Sequence, residues 1–194
     1  MNFLKNIYVW TLKKAEHKNA KWYLSLISFA ESSFFPIPPD ILLIPMALAS
    51  KTKALLYAFI CTLSSVLGGV FGYAIGYFFF NSVGLYIVEF YHLENSFNIF
   101  ENYYKEFGIL IVLGAGITPF PYKFITIASG VFGLNIFLFI IVSIIGRGLR
   151  FYLIAILLYF FGEKIKLIID KYFNILTIVF FILLIGSVFI IRFL

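Results

Sequence analysis

Long apolar runs separated by short polar segments dominate the pattern of this 194-residue chain. The clearest run, residues 54–80, carries no charge and exceeds the roughly 20 apolar residues that a helix needs to cross a bilayer. Residues 81–106 interrupt this pattern with several glutamates and predict a polar loop outside the membrane. Apolar character then returns and predicts two further spanning helices, over 133–161 and, after a short basic loop, over 172–191.

The segment 22–50 is apolar and long enough to span, but prolines interrupt it near its middle. These prolines are Pro36, Pro38 and Pro39. Because proline lacks a backbone N–H and clashes with the preceding helical turn, a continuous helix is excluded there. In lipid, the freed backbone groups are tolerated only where they face protein or a water-filled cavity. We therefore expect 22–50 to form a re-entrant hairpin, which enters and leaves the membrane on the same side.

A second proline window lies 83 residues further along the chain. The aligned pairs are Pro36 with Pro119, Pro38 with Pro121, and Asp40 with Lys123. Each window precedes a long apolar run, so the sequence predicts two copies of one unit, a re-entrant hairpin followed by a spanning helix. The second hairpin covers 107–130. One span separates the copies and inverts one relative to the other, an arrangement typical of transporters.

The lysines and arginines outside the apolar runs lie predominantly on one predicted side of the membrane. With the N-terminus inside, only Lys105 and Arg192 fall outside, whereas ten lysines fall inside, as the positive-inside rule requires. The inside lysines are Lys5, Lys13, Lys14, Lys18, Lys21, Lys51, Lys53, Lys164, Lys166 and Lys171. Residues 1–21 hold five of them among apolar side chains and predict an amphipathic helix on the membrane surface.

The composition agrees with this topology. The chain is 62% hydrophobic and 12% charged, whereas a typical soluble domain is about 45–50% apolar and about 25% charged. The fold class that we predict is an all-α polytopic membrane protein of one membrane domain, residues 22–162, in a bacterial inner membrane with a cytoplasmic N-terminus. The net charge of +6 is explained by lysines that set topology, so no nucleic-acid partner is expected.

Five ionisable residues remain within the apolar runs, and they are the candidate functional residues. They are Glu31, Asp40, Lys123, Arg147 and Arg150. An unpaired charge at the centre of a membrane helix costs about 2.5–3.5 kcal/mol, so such residues pair with one another and mark substrate or proton pathways. If the hairpin tips meet, their pseudo-symmetry brings Asp40 close to Lys123. The alternative is a structural ion pair that holds the hairpins together.

Arg147 and Arg150 are spaced i, i+3 within the segment GRGLR and share one helix face. Paired guanidinium groups suit a phosphate, so we assign phosphate binding to these arginines and Lys123. Glu31 and Asp40 are assigned to gating or proton coupling, since intramembrane carboxylates serve as proton relays. The alternative is that the arginines neutralise the two acids. The two interpretations are compatible, because the acids would occupy the arginines when no substrate is bound.

Three glycines of the first spanning run, Gly68, Gly72 and Gly76, recur every four residues and predict a face for close helix packing. The sequence contains no glycine-rich phosphate loop, no zinc-binding H-E-x-x-H motif and no Ser/His/Asp set that could be placed together. We therefore expect neither enzymatic activity, nor a metal, nor a cofactor.

The motifs ESSFFPIPPDILLIP and TPFPYKFITIASG resemble the DedA family, also called the VTT-domain or SNARE-associated Golgi protein family, and most closely its YqaA-like branch. The resemblance covers roughly residues 22–162. It implies two opposed re-entrant hairpins and lipid translocation, such as undecaprenyl phosphate recycling in bacteria or phospholipid scrambling in eukaryotes. Some bacterial members are linked to the proton-motive force.

The acids that are essential in the DedA family match Glu31 and Asp40. The family's second motif often carries two arginines flanking a proline, whereas Lys123 is the only cation near Pro119 here. Arg147 and Arg150, one helix later, are the candidates to replace them.

These observations favour a transporter or flippase for an anionic polyprenyl or phospholipid, with membrane lipids as partners and protons as a candidate coupling ion. A proton-coupled antiporter of small ions or solutes uses the same carboxylates and is the principal alternative. An intramembrane enzyme acting on lipid phosphates and an assembly scaffold are further alternatives. The sequence is compatible with an oligomer of identical chains.

Overall fold

The computed structural model of this chain describes residues 19–35, 37–90, 92, 94–118 and 120–191, with side chains described as far as Lys164 apart from a few positions. Every regular element in these ranges is helical. The seven α-helices in the described ranges are α1 Ala20–Ser33, α2 Asp40–Ala49, α3 Ala54–Phe79, α4 Leu85–Phe90, α5 Glu94–Ile117, α6 Tyr122–Val131 and α7 Ile136–Ile191. A short 3-10 turn, Lys51–Lys53, joins α2 to α3.

The first proline window separates α1 from α2, as the sequence predicts. The amide groups of Phe34 and Phe35 both donate to the carbonyl oxygen of Ala30, at 2.9 and 2.8 Å, and close the last turn of α1. Pro39 then occupies the N-cap of α2, where a missing N–H costs no helical hydrogen bond. Pro36 lies outside the described residues.

The second proline window separates α5 from α6 in the same way. Pro121 is the N-cap of α6, and Pro119 lies outside the described residues. The α1 helix ends at residue 33 and α5 at 117, while α2 begins at 40 and α6 at 122. The ends of α1 and α5, and likewise the starts of α2 and α6, are therefore separated by the 83-residue offset of the proline windows to within one residue. The position of each break therefore follows from its prolines.

The helices on either side of the second break form a hairpin. The ring of Phe132, directly after α6, lies 5.2 Å from that of Phe97 and 5.1 Å from that of Tyr104, both in the first half of α5. The Tyr104 hydroxyl also bonds to Ser129 near the end of α6, at 2.8 Å. The start of α5 and the end of α6 therefore lie together, and the break forms the opposite end of this hairpin.

The first hairpin has its own apolar cluster. Ala20 and Leu24, at the beginning of α1, share a buried cluster with Met46 and Ala47, at the end of α2. The two helices of this first hairpin thus pack apolar side chains into a common cluster with α3 and α7. The two proline windows, which connect the helices of each hairpin, are called the hairpin tips below.

The predicted loop over 81–106 is instead largely helical. A π-helical turn, Phe80–Gly84, follows α3, then α4 follows it, and α5 begins at Glu94. The segment contains no proline, and the side chains of Glu101 and Lys105 form an i, i+4 ion pair of 2.7 Å that supports the helix. The first arm of the second hairpin therefore begins at residue 94, not at 107.

The predicted loop after residue 161 is also helical, because α7 continues without interruption to Ile191. Residues 163–171 contain neither proline nor glycine and are rich in residues with good helix propensity. The predicted separate helix over 172–191 is thus the last part of α7. Of the predicted N-terminal helix, residues 1–18 lie outside the described residues, and residues 20 and 21 begin α1.

Two helices of the described chain, over Lys51–Phe79 and Ile136–Gly162, are long and apolar enough to span a membrane. They run in opposite directions. A Cβ atom placed on Gly162, at the end of the second, would lie 3.4 Å from Cε of Lys51, at the start of the first. The lysines before α3 and Lys164 therefore lie at the same end of the molecule.

The predicted glycine face of α3 packs against both hairpins. A Cβ atom on Gly68 would lie 2.1 Å from the carbonyl oxygen of Phe29 in α1, and one on Gly76 would lie 2.0 Å from that of Ile127 in α6. Gly72 lies between them, where a Cβ atom would be 2.4 Å from the Thr126 hydroxyl oxygen. Only glycine permits these approaches, so both hairpins pack directly against the glycine face of α3.

Candidate functional site at the hairpin tips

Arg147 and Arg150 lie near the middle of the apolar span Ile136–Gly162 of α7. Each guanidinium group contacts residues of both hairpins, so this turn of α7 is where the two tips meet. Glu31 and Asp40 come from the first hairpin, and Thr118 and Tyr122 from the second. Four of the five predicted ionisable residues are thereby brought together.

The Arg147 guanidinium is enclosed inside the helix bundle. Its Nη2 donates to Oε2 of Glu31 at 2.5 Å, and its Nε donates to the hydroxyl of Ser65, on α3, at 2.6 Å. The Arg147 side chain is 1% exposed and that of Glu31 is 10% exposed. A buried charge needs both an opposite charge and hydrogen bonds, and Arg147 has both.

Serine hydroxyl groups complete this network. The Ser32 hydroxyl contacts Oε2 of Glu31 at 3.1 Å and the Ser65 hydroxyl at 2.6 Å. Arg147, Glu31, Ser32 and Ser65 thus form a closed ring of hydrogen bonds that joins α1, α3 and α7. Hydrogen bonds between polar groups are stronger in a low dielectric than in water. The ring therefore stabilises this one arrangement of the three helices.

Two aromatic rings enclose the same guanidinium. The central carbon of Arg147 lies 5.0 Å from the ring centre of Tyr122 and 4.7 Å from that of Phe151, distances at which a cation interacts favourably with an aromatic face. The Tyr122 hydroxyl is fixed in turn by the Ser143 hydroxyl at 2.6 Å. The contacts of Arg147 therefore come from four helices, α1, α3, α6 and α7.

The Arg150 guanidinium is less enclosed. Its Nη2 donates to Oδ2 of Asp40, and its Nη1 donates to the carbonyl oxygen of Thr118 at 2.7 Å. The side chains of Arg150 and Asp40 are 13% and 16% exposed. Arg150 thus bridges the start of α2 to the end of α5, which are the inner ends of the two hairpins.

Oδ1 of Asp40 differs from every other buried side-chain oxygen or nitrogen in the described part of the chain. It is buried and has no hydrogen-bond partner. A buried acceptor without a donor costs about 1–3 kcal/mol, so this oxygen is the atom of the site that gains most from a further donor.

The predicted approach of Lys123 to Asp40 is replaced by the Arg150–Asp40 ion pair. Lys123 instead has its Nζ 5.4 Å from the ring centre of Phe124. The adjacent contact between the hairpins is made by Thr126, whose hydroxyl oxygen lies 2.9 Å from the carbonyl oxygens of both Ser32 and Lys123 and shares its one proton between them. Pseudo-symmetry predicts which segments meet, whereas side-chain length and direction decide which residues pair.

Several residues of this site are not identified by the sequence pattern. They are Ser32, Ser65, Thr118, Tyr122 and Phe151. One signal was available, because Ser25, Ser28 and Ser32 share a face of α1, and all three hydroxyl groups bond to α3. The aromatic and backbone partners have no such signal, because they depend on how the hairpins are placed.

The site thus belongs to an all-helical protein in which two helical hairpins meet at a charged cluster. Each hairpin consists of two helices separated by a proline-containing break. No protein-family model and no solved structure matches the chain. An uncharacterized protein of Haemophilus influenzae is 37% identical over 164 residues, which cover 84% of this chain and 85% of the relative. An uncharacterized protein of Histophilus somni is 35% identical over the same shares. The chain belongs to the family of these two proteins.

Proposed function

We propose that this chain is a polytopic protein of the bacterial inner membrane that moves an anionic lipid across the bilayer, as the resemblance to the DedA family implies. The observation that carries the proposal is the position of Arg150. It is a partly accessible cation at mid-depth of an apolar helix, and it lies where the tips of two broken hairpins meet. Discontinuous helices and a central charged site are typical of secondary transporters.

The distribution of apolar and polar side chains supports a bilayer as the surrounding solvent. Large apolar residues are highly exposed on the outer surface, including Trp22 at 73%, Phe137 at 73% and Phe160 at 70%. Buried positions, in contrast, include many polar side chains. Examples are Ser28, Glu31, Ser32, Ser65, Ser143 and Arg147. A soluble protein has the opposite preference, so lipid is the solvent that this surface suits.

The helix boundaries support two inverted repeats. The break positions and the starts of α3 and α7, at residues 54 and 136, recur at nearly the same offset. The two long helices run in opposite directions, since Lys51 lies beside Gly162. Each repeat then contributes one hairpin and one spanning helix. Such a repeat allows the two hairpins to open alternately to the two sides of the membrane.

An anion is the substrate class that suits the cations at the tips. Arg150 offers a planar fork of N–H donors that suits a phosphate group. The α6 helix begins beside the site, and the N-terminus of a helix favours negative charge. Lys123, in the first turn of α6, adds a cation on that side. Arg147 contributes positive charge to the site but is already satisfied by Glu31.

A lipid suits the site better than a soluble anion because exposed apolar side chains follow Arg150 along α7. Leu153 and Leu157 lie at i+3 and i+7 from Arg150 and belong to an apolar groove formed by residues of α7. They are 59% and 44% exposed. A lipid would place its phosphate group on the guanidinium of Arg150 and cover these leucines with an acyl chain.

The test is lipid translocation in proteoliposomes, followed by dithionite quenching of a fluorescent phosphatidylglycerol. We expect wild-type protein to move this lipid and Arg150→Gln to reduce the rate at least tenfold. Lys105→Gln removes an exposed cation far from the tips and should retain the wild-type rate. If folded wild-type protein moves no anionic lipid but exchanges small ions or solutes, the antiporter function replaces this proposal.

A further inference from the structure

Asp40 and Arg150 are paired with each other, yet both retain hydrogen-bonding capacity. A guanidinium group has five N–H donors. Arg150 directs one of them to Oδ2 of Asp40 and one to the carbonyl oxygen of Thr118, so the others remain for a ligand. Oδ1 of Asp40 accepts no hydrogen bond from the described residues. The pair therefore presents N–H donors on its cation beside an unused acceptor on its anion.

The charges at the hairpin tips sum to one positive charge. Glu31 neutralises Arg147, and Asp40 neutralises Arg150. Lys123, in the first turn of α6, belongs to none of the ion pairs found among the described residues and supplies the remaining charge. A ligand with one negative charge balances this site. A doubly charged phosphate monoester would leave a charge uncompensated in a low dielectric, which is costly.

From these two observations we propose that the lipid is a phosphodiester whose headgroup carries a hydroxyl group. Its phosphate binds the N–H donors of Arg150, and its hydroxyl donates to Oδ1 of Asp40. This inference rests on the proposed lipid transport and names the headgroup class that Asp40 selects. Asp40 stays charged and paired with Arg150 throughout. A glycerol headgroup has both features, a single negative charge and hydroxyl donors close to the phosphate.

The exposure of the two ion pairs supports binding at Asp40 rather than at Glu31. The side chains of Arg150 and Asp40 are 13% and 16% exposed, whereas that of Arg147 is 1% exposed. Oδ1 of Asp40 is itself covered, so the headgroup reaches it once the tips separate, as transport requires. A covered acceptor discriminates strongly, because a ligand without a donor leaves it unpaired after water is excluded.

Other lipid headgroups meet only part of this requirement. Phosphatidylethanolamine has N–H donors for Asp40 but no net charge, so the charge of Lys123 stays uncompensated. Phosphatidic acid and polyprenyl phosphates are monoesters, which approach two negative charges and have no headgroup alcohol. Phosphatidylmethanol has the correct charge but no hydroxyl group. Phosphatidylglycerol and phosphatidylmethanol therefore form a matched pair of probes that differ in the proposed donor and not in charge.

The experiment compares the movement of these two lipids, each with a fluorescent acyl chain, in proteoliposomes. We expect wild-type protein to move phosphatidylglycerol at least tenfold faster than phosphatidylmethanol. In folded Asp40→Asn this ratio should fall below threefold, because the amide oxygen turns to Arg150 and the amide NH2 group, a donor, faces the headgroup. Asp40→Glu keeps both carboxylate oxygens and should retain a higher ratio than Asp40→Asn. Lys105→Gln, far from the tips, should keep the wild-type ratio.

A binding measurement keeps the inference testable where the Asp40 variants transport poorly. Dihexanoyl phosphatidylglycerol should raise the Tm of detergent-solubilised wild-type protein more than dihexanoyl phosphatidylmethanol at the same concentration. The two shifts should be equal in folded Asp40→Asn. Asp40→Ser replaces this variant if asparagine prevents folding, since serine is favoured at helix N-termini and also lacks the second carboxylate oxygen.

The outcomes separate this inference from the proposed function. Equal movement of both lipids by wild-type protein, with loss of movement in Arg150→Gln, overturns the inference and leaves lipid transport standing. A preference that survives in folded Asp40→Asn, or faster movement of phosphatidylethanolamine than of phosphatidylglycerol, overturns it in the same way. Absence of any lipid movement by folded wild-type protein overturns both.

Discussion

Glu31 and Arg147 lie 116 positions apart in sequence, yet their side chains form a 2.5 Å hydrogen bond within the helix bundle. This contact ties the first hairpin to the helix that follows the second. Both side chains are nearly inaccessible, so each depends on the other for its charge to be tolerated. The pair therefore defines how the two halves of the molecule are joined.

Breaking this pair on one side should destabilise the protein more than replacing both partners. Arg147→Met leaves the Glu31 carboxylate buried and unpaired, at an expected cost of about 3–5 kcal/mol. For a chain of this size that corresponds to a loss of roughly 10 °C in Tm. The double variant Glu31→Gln with Arg147→Met should recover much of the loss.

Labelling of Cys61 by a thiol-reactive dye during heating can measure these Tm values in detergent, because this buried cysteine, the single one in the sequence, reacts only after unfolding. A matched control is Lys105→Met, which breaks an exposed ion pair on α5 and should change Tm by no more than about 2 °C. If Arg147→Met were as stable as this control, Arg147 could not be an enclosed charge that depends on Glu31.

The glycine face of α3 gives a second prediction. Gly76→Ala places a methyl group 2.0 Å from the backbone oxygen of Ile127, which can move only with the whole of α6. We expect a loss of about 1–3 kcal/mol or partial displacement of the second hairpin. Gly114→Ala on α5 is the matched control, since its methyl group meets nothing within 4 Å.

The control should be neutral or slightly stabilising, by roughly 0.5–1 kcal/mol, because alanine favours the helix over glycine. Thermal unfolding of both variants in the same detergent decides between the outcomes. Equal Tm values for the two variants would mean that α3 and α6 do not approach as closely as described.

The link between the hairpins gives a third prediction. Thr126→Val keeps the shape of the side chain but removes the hydroxyl group whose one proton is shared by the carbonyl oxygens of Ser32 and Lys123. Loss of one buried hydrogen bond should cost about 1–3 kcal/mol. Thr126→Ser retains the hydroxyl group and should lose less stability. The same thermal assay would contradict this role for the hydroxyl group if valine were tolerated better than serine.

Topology gives a fourth prediction, which uses cysteine labelling in a Cys61→Ala background. Lys53→Cys and Lys164→Cys should react with a membrane-impermeant thiol reagent from the same side, because the start of α3 lies beside the end of the α7 span. Lys105→Cys should react from the opposite side, since Tyr104 packs against Phe132 just before α7 begins. Reaction of all three from one side would exclude the proposed arrangement.

The sequence by itself determined where the helices break. Proline removes a backbone donor whatever surrounds it, so the interruptions near residues 34–39 and 118–121 and their common offset could be predicted locally. The long apolar runs of α3 and α7 were equally visible, because their length and composition need no partner to be recognised. The charged residues of these runs could also be selected, since an isolated charge there is costly.

Local polarity was a poor guide where the chain leaves the apolar runs. The segments after residues 80 and 161 are polar, which predicts loops, yet both are largely helical. Polar residues such as glutamate and lysine are good helix formers, and no proline or glycine ends the helix in residues 94–106 or 163–171. Hydropathy reports what surrounds a segment, whereas backbone chemistry decides whether it is helical.

Only the tertiary structure decided which charges pair. Pseudo-symmetry placed Lys123 opposite Asp40, but Arg150 reaches Asp40 from α7, and Arg147 reaches Glu31. Pairing depends on the direction and length of each side chain once the helices have packed, and the glycine face of α3 fixes that packing. The difference between an enclosed pair and one with a free carboxylate oxygen arises from neighbours distant in sequence, because burial is a property of the whole fold.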